Sequence, residues 1–356
     1  MEFVNRFIGG GPPADHQTAV KALTYLYPGA RPAFTYHEIA SPVGTNQLLV
    51  KVTHASVNPV DIKTMHTSLT WSAPGEKGLG RDFCGVVAEV GAGLRDAWRV
   101  GDRVCGMKRV LVGRGTFATH VTVAAGGADA VAVAPDSLTN AEAAAFPLVL
   151  GTALNALSRA TLGPGAWVCV LGGTTATGMY AVQLAKHHYN VEGVVVTSSS
   201  ADLARSLGAD EVVNYKEEDV LTGLRRCGRK FRLIVDCVGG TDVLKHHAEL
   251  LEPRSSGSAY VTLVGDSHND FHGLGGPLAY SYSPAMVGRK LFGGINYHVE
   301  SIAPGDWINT AVQLLQAGTV RVVVDSTVDW RRFEDALKKV QEGRAHGKVV
   351  LAIEDF

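Results

Sequence analysis

The apolar positions change rhythm near residue 140. Before it, short runs rich in Val, Ile and Thr alternate with Gly and Pro, as at Leu48–Thr53, Val86–Val90, Arg103–Gly106 and Phe117–Val123. Short β-branched runs cut by turn residues predict a β-rich unit. Asn140 to Ala160 then predicts a helix, with Thr139 or Asn140 as its cap and Glu142 in its first turn. From residue 167 strands alternate with helices. Strands are expected at Trp167–Leu171, Val194–Thr197, Glu211–Asn214, Leu233–Cys237 and Ser258–Val264. Helices are expected between them at Thr175–His188, Ser200–Leu207, Val220–Arg225 and Val243–Leu250. The strands are almost continuously apolar, which predicts a parallel sheet buried on both faces. Ile308–Gln316 and Phe333–Glu342 predict later helices, and Val349–Ile353 a last strand. His268–Ser283 is glycine-containing without a period and is expected to be a long loop.

Charge narrows the function classes. Lys and Arg number 33 against 34 Asp and Glu, a net charge of −1. That balance argues against a general nucleic-acid or polyanion binder. With 46% hydrophobic and 19% charged residues in 356, the chain has material for two ordinary domains. The five cysteines, Cys84, Cys105, Cys169, Cys227 and Cys237, include no CxxC pair. Their spacing fits neither a disulfide framework nor a structural zinc site, so reduced thiols are expected. No apolar run reaches the roughly 18 residues of a membrane span. Met1–Thr18 lacks the features of a signal or transit peptide and is expected to be a loosely ordered tail. A cytoplasmic location follows by default, with the mitochondrion or a lipid-droplet surface left open.

The 41 glycines mark turns, and one run of them carries chemistry. A strand enters Gly172-Gly173-Thr174-Thr175-Ala176-Thr177-Gly178, and a helix follows. Backbone amides at such a helix start can hold a pyrophosphate, aided by the helix dipole. The alternative is an ordinary tight turn. Thr175 stands where a GxGxxG turn has its middle glycine. Thr174, Thr175 and Thr177 can donate hydroxyls to phosphate, or cap the helix, or both. The second strand ends in Ser198-Ser199-Ser200, where an NAD site would place Asp or Glu for the ribose 2′-hydroxyl. Serines can donate to a 2′-phosphate, which favours NADPH; their other reading is helix capping.

Further motifs appear in a set order. Asn58-Pro59-Val60-Asp61 is followed by Gly80-Arg81-Asp82-Phe83-Cys84-Gly85, then Gly101-Asp102 and Gly115-Thr116-Phe117-Ala118. Ala143–Pro147 and Gly151-Thr152-Ala153 precede the glycine run. Leu207-Gly208-Ala209-Asp210, Asp236-Cys237-Val238-Gly239 and Gly347-Lys348 come after it. In this order the motifs resemble the medium-chain dehydrogenase/reductases, in their zinc-free, quinone-oxidoreductase-like (zeta-crystallin-like) branch, over about residues 18 to 353. The threonine-rich turn is similar to that of fungal members, among them Yim-type yeast proteins and the trans-acting enoyl reductases of polyketide pathways. The resemblance implies an α/β fold: a doubly wound Rossmann sheet at 141–300 binding NADPH, and a β-rich GroES-like catalytic domain at 1–140 with 301–356. It implies cofactor contacts at Thr152, Gly172, Gly173, Thr174, Thr175, Gly178, Ser198, Ser199, Tyr215, Val238, Leu263 and Lys348. Tyr215 is expected near the adenine or 2′-phosphate, and Lys348 near the nicotinamide ribose. A homodimer is also implied, paired near Lys290–Tyr297.

The zinc enzymes of the family carry a Gly-His-Glu segment where this chain reads Gly80-Arg81-Asp82. Asn58 to Asp61 offers no thiolate, and the adjacent pairs His187-His188 and His246-His247 point to different faces of a helix. No metal is therefore expected. The resemblance implies hydride transfer to a conjugated carbonyl or quinone, so a carbonyl oxygen needs donors and the product needs a proton. Asn58 as amide donor, Lys63 as cation or proton donor, and Asp61 as an orienting group are the candidates. For Asn58-Pro59 the alternative is a turn, and for Lys63 a solvated surface position. Two other functions stay open. One is an enoyl-thioester reductase acting on a carrier-bound chain, for which Arg225, Arg226, Arg229, Lys230 and Arg232 offer a basic patch. The other is an NADPH-binding regulator without turnover.

Overall fold

The structure is a computed structural model that describes residues 19–39, 41, 43–67, 75–109, 113–268, 271, 284–292, 294–300 and 306–354. The expected tail Met1–Thr18 and nearly all of the expected loop His268–Ser283 lie outside them. The parallel sheet has six strands in the order Glu211–Val213, Gly193–Thr197, Trp167–Leu171, Leu233–Asp236, Ala259–Thr262 and Tyr297–Val299. All its pairings are parallel. The strand of this sheet that comes first along the chain, Trp167–Leu171, lies at the centre, and the strand order reverses beside it, between Leu171 and Asp236. This is the doubly wound arrangement, with its ligand crevice at the carboxyl ends flanking that reversal. Val168, Val170, Val194, Val196, Leu233 and Val235 are inaccessible to solvent, as a sheet covered on both faces requires.

The β-rich unit is a seven-stranded sheet built from Leu48–Ser56, Asp82–Val90, Arg103–Met107, His120–Val123, Ala130–Val133, Val324–Asp329 and Lys348–Ala352. A three-stranded sheet, Ala19–Tyr25, Ala33–Glu38 and Lys77–Gly78, lies beside it. The C-terminal strand pairs with Leu48–Ser56, which brings Lys348 to the start of the chain's β-rich half. Val324–Asp329 was not foreseen from the sequence: Asp325, Ser326 and Asp329 interrupt its apolar run, and it is half-exposed along its length.

The helix expected over Asn140–Ala160 is two helices, Asn140–Ala145 and Pro147–Leu157. Pro147 causes the break. It has no N–H for the turn before it, and its fixed φ suits a first helical position. Thr139 caps the first helix as expected, accepting from the Glu142 amide at 3.2 Å. The helix expected from Thr175 runs over Ala176–Gln183 and ends in a wider turn at Leu184–His188. The helix expected over Val243–Leu250 is only two short turns, Leu244–His246 and His247–Leu250. The Asn58-Pro59 segment, readable as a turn, opens a helix at Pro59–His66. Among the described residues no helix is long and apolar enough to cross a membrane.

Candidate functional site

The crevice side is built around one turn. Gly172 follows the central strand with φ +79°, a conformation that L side chains resist. Its amide donates to Thr197 Oγ1 at 2.8 Å, and that of Gly173 to Thr197 O at 3.0 Å. The chain then turns into the helix Ala176–Gln183. A Cβ on Gly178 would stand 2.1 Å from Gly172 O, so strand end and helix start touch through bare backbone. Thr175 is the cap: its Oγ1 accepts from Gly178 N at 3.1 Å. The hydroxyl that replaces the middle glycine is thus first a structural one.

The serine run divides in the same way. Ser198 is buried; its Oγ pairs with Thr174 Oγ1 at 2.7 Å and accepts from Ser200 N at 2.9 Å. It holds the loop to the glycine turn. Ser199 Oγ lies 3.1 Å from Tyr215 Oη, and Ser200 Oγ 3.3 Å from His346 Nδ1. Tyr215 is 53% exposed, so its ring stands open at the end of this loop. His346 comes from the turn before the last strand and was missed at the sequence level, because only the fold carries it across to the second nucleotide-domain strand.

On the other side of the reversal, Asp236 is buried at the end of its strand. Its Oδ1 accepts from the amides of Val238 at 3.0 Å and Gly239 at 2.8 Å, and its Oδ2 from Tyr260 Oη at 3.1 Å. Burial pushes its carboxyl up, and these donors pull it back down. The loop it fixes presents Val238, 40% exposed, beside the glycine turn. The Gly172 Cβ position is 2.9 Å from Val238 Cγ2. Leu263 is half-buried against the core, with its amide on Asp236 O at 2.9 Å. Thr152 is buried, and its hydroxyl donates to Leu148 O at 2.7 Å, one helical turn back.

The second half of the site is a buried polar cluster under the β-rich sheet. Asp82 is its hub. Oδ2 accepts from Ser56 Oγ at 2.9 Å, Asn58 Nδ2 at 2.8 Å and Lys348 Nζ at 3.4 Å. Oδ1 accepts from Leu148 N at 2.9 Å. Lys348 is 3% exposed, and its Nζ also donates to Asn58 Oδ1 at 2.5 Å and Val57 O at 3.3 Å. An ammonium has three N–H bonds. All three are directed at Val57 O, Asn58 and Asp82, so the expected reach to a nicotinamide ribose would need one of these bonds released. Burial lowers its pKa against the opposing pull of Asp82 and Asp61.

Asp61 joins this cluster to Arg81. Its Oδ2 accepts from Asn58 N at 2.8 Å and its Oδ1 from Arg81 Nη1 at 2.8 Å. Arg81 Nη2 donates to Thr64 Oγ1 at 3.2 Å. Burial pushes the Asp61 carboxyl up, and the Arg81 guanidinium opposes it. Lys63 is buried on the same helix, so it is not the solvated surface residue that was its alternative reading. Asn58 is fully buried, with both ends of its amide engaged by Asp82 and Lys348. Its side chain positions those charges. The field of Asp82 also reaches Tyr180, a buried residue of the helix that starts at the glycine turn. The cluster therefore backs onto the helix that starts at the glycine turn.

Among the described residues no three His, Cys, Asp or Glu are placed to hold a metal ion. The arginine run is largely neutralised. Arg225 pairs with Glu249 at 2.7 Å, Arg232 with Glu252 at 2.6 Å, Arg226 with Glu218, and Arg229 stacks over Trp167.

Residues 44–136 match the family described as alcohol dehydrogenase GroES-like domain, and residues 207–351 that described as zinc-binding dehydrogenase. Protein AST1 of Saccharomyces cerevisiae is 31% identical over 374 residues, covering 91% of this chain and 85% of that protein. The quinone oxidoreductase of Coxiella burnetii superposes with a TM-score of 0.77 at 23% identity, over 94% of this chain and 100% of that one. A dehydrogenase from E. coli CFT073, solved with its cofactor NADH, superposes with a TM-score of 0.75 at 20% identity, over 94% of this chain and 100% of that one.

Proposed function

Because the chain belongs to the medium-chain dehydrogenase/reductase superfamily and is an oxidoreductase by that membership, we propose that it is a metal-independent, NADPH-dependent reductase of quinones, enones or other conjugated carbonyls. One observation carries the cofactor choice. At the end of strand Gly193–Thr197 the three positions that follow are Ser198, Ser199 and Ser200, with no carboxylate for a ribose 2′-hydroxyl. Ser199 with Tyr215 and Ser200 with His346 form two polar pairs there. A phosphate oxygen accepts hydrogen bonds, and each pair spends one hydrogen within itself and keeps one donor to give.

The residues fit such a cofactor. The close approach of Gly178 to Gly172 brings strand end and helix start together, and the amides of Ala176 and Thr177 in the first turn of the helix would meet a pyrophosphate. Ser199, Ser200, Tyr215 and His346 would hold the 2′-phosphate. Thr152, Val238 and Leu263 would flank the nicotinamide end. Bound NADPH supplies a hydride. The chain's own residues do the rest: Asn58, Asp61 and Asp82 set the positions of Lys348 and Arg81, and Lys63 is the proton donor of this reading. Metal independence is supported by Arg81 and Asp82, an ion-paired cation and a four-times-bonded carboxylate, neither of which has room for a metal. A homodimer paired at the sheet edge Tyr297–Val299 belongs to the same reading.

The test is direct titration of NADPH and NADH against the purified protein, then NADPH oxidation with a quinone, a simple enone and an enoyl thioester, with and without a chelator. Tighter NADPH binding and chelator-resistant turnover of a quinone or enone are expected. Preference for NADH would overturn the serine argument. Turnover confined to carrier-linked enoyl chains would select a trans-acting reductase, and tight NADPH binding without turnover a regulator. Light scattering at the mass of two chains is expected.

A further inference from the structure

Resting on that reductase reading, we propose that Arg81 is a catalytic residue whose guanidinium binds the substrate's carbonyl oxygen and stabilises the negative charge that develops there. The observation is an arginine that is fixed but half-used. Its side chain is 9% exposed and paired with an Asp61 side chain that is 0% exposed. A guanidinium carries five N–H donors in one plane. Only two hydrogen bonds hold this one among the described residues, to Asp61 Oδ1 and Thr64 Oγ1. Nη1 and Nη2 each have one partner and keep one N–H, and Nε is not among the buried atoms left without a partner, so its N–H is open to the surface.

The hold is rigid. Asp61 is fixed in turn by the Asn58 amide at 2.8 Å. Thr64 Oγ1 spends its proton on Val60 O at 2.6 Å, so only its lone pairs face Arg81. Tyr25 Oη donates to Thr64 O at 3.1 Å and pins the helix end. The plane of the guanidinium is thus set before any ligand binds, with its remaining N–H bonds directed away from Asp61 and Thr64. Donors fixed in advance and aimed at developing charge are the strongest single device for such a step. Arg81 also sits one residue from Asp82, whose Oδ1 takes the first free amide of the helix carrying Thr152. That places it at the junction of the β-rich unit with the nucleotide domain.

The chemistry balances without another reagent. A hydride added to the β-carbon of an enone breaks the C=C π bond, and the electron pair moves to place negative charge on the carbonyl oxygen. A proton, given by Lys63 in this reading and replaced from water, then adds to the α-carbon. The net change is two hydrogens across the double bond, matched by oxidation of NADPH to NADP+. Arg81 faces the oxygen that gains the charge, and its own proton stays in place.

The experiment uses Arg81→Lys and the double variant Arg81→Gln with Asp61→Asn. The double variant removes both charges of the pair, so no uncompensated carboxylate is left buried. Two readouts are taken on the full-length protein: kcat with an enone, and ionisation of added 4-nitrophenol followed by its phenolate absorbance. The expected result is a kcat lower by about 10²–10³ in the double variant, with NADPH affinity kept and partial recovery in Arg81→Lys. The wild type is expected to favour the phenolate at a pH where the double variant does not. Wild-type kcat in the double variant, or equal phenolate ionisation in both, overturns the proposal. If the wild type binds phenolate through Arg81 and yet reduces no carbonyl, the anion site stands and the reductase reading falls.

Discussion

Asp82→Asn tests the hub of the buried cluster. The side chain is fully buried and accepts four hydrogen bonds, three on Oδ2 and one on Oδ1. An amide has one oxygen. Placed over the three Oδ2 donors, it turns its NH2 toward Leu148 N–H, and a buried donor faces a donor. That alone costs about 1–3 kcal/mol. The substitution also strips the buried Lys348 ammonium of its counter-charge, and breaking one side of a buried pair costs about 3–5 kcal/mol. The two losses fall on the two ends of one side chain and are not independent, so a total near 3–5 kcal/mol is expected, a large part of the roughly 5–15 kcal/mol that holds a domain. Urea unfolding followed by tryptophan fluorescence measures it. Lys348→Met added to Asp82→Asn removes the orphaned cation, so the double variant is expected to lose at least about 1 kcal/mol less than the sum of the singles. A loss below about 1 kcal/mol in Asp82→Asn, or strict additivity in the cycle, refutes the picture of a hub that answers a buried charge.

Gly178→Ala puts a methyl 2.1 Å from the Gly172 carbonyl oxygen, so the glycine turn must open. NADPH affinity is expected to fall tenfold or more, about 1.4 kcal/mol, by fluorescence titration; unchanged affinity would place the pyrophosphate elsewhere. Ser199→Asp sets a carboxylate beside Tyr215, where a 2′-phosphate would lie. The ratio of NADH to NADPH dissociation constants is expected to drop at least about tenfold through repulsion of the phosphate, and a constant ratio sinks the assignment. Burial, with the Arg114 charge adding to it, pushes the His37 imidazole down to about 4 from 6.5. The folded state then holds His37 neutral, so its contribution to stability is present above pH 6.5 and is lost as pH falls through about 4. His37→Gln should lose less stability than the parent over that interval in urea midpoints; parallel curves would refute it.

The nucleotide domain was legible because its signals are local. A strand, a glycine turn and a capped helix fit within Trp167–Gln183, and periodicity alone separates them. The same is true of the strand end at Thr197, and of that at Asp236 to within one residue. Boundaries failed where a neighbour decides them, as when Pro147 split a helix whose apolar pattern ran straight through. The polar cluster was legible only in part. Asn58, Asp61 and Lys348 drew notice, but Lys348 was assigned to a ribose. Its partner Asp82 is 266 residues away, and no spacing rule spans that distance. Arg81 was read only as the lack of a zinc ligand. Ser56, Thr64 and His346 carry no local pattern at all.

What joins the two halves follows from the break at Pro147. A helix leaves the amides of its first turn without internal partners. Pro147 has no amide to offer, so Leu148 N is the first one open, and Asp82 Oδ1 takes it at 2.9 Å. A carboxylate at that end also answers the dipole of the helix. The helix then carries Thr152 toward the nucleotide side. At Gly151 it meets the Trp307 ring so closely that a Cβ would stand 2.6 Å from it. Proline, carboxylate and glycine together fix the entry, charge and depth of one helix. The buried charges of the β-rich unit are thereby set against the helix Ala176–Gln183 through Asp82, with Tyr180 in its field. It follows that Asp82→Asn acts on both domains: it frees Leu148 N–H as well as Lys348. Hydrogen exchange at Leu148 should therefore quicken in Asp82→Asn and stay slow in Lys348→Met, which leaves the Oδ1 contact intact. Equal exchange in the two variants would mean that Asp82 serves only the β-rich unit.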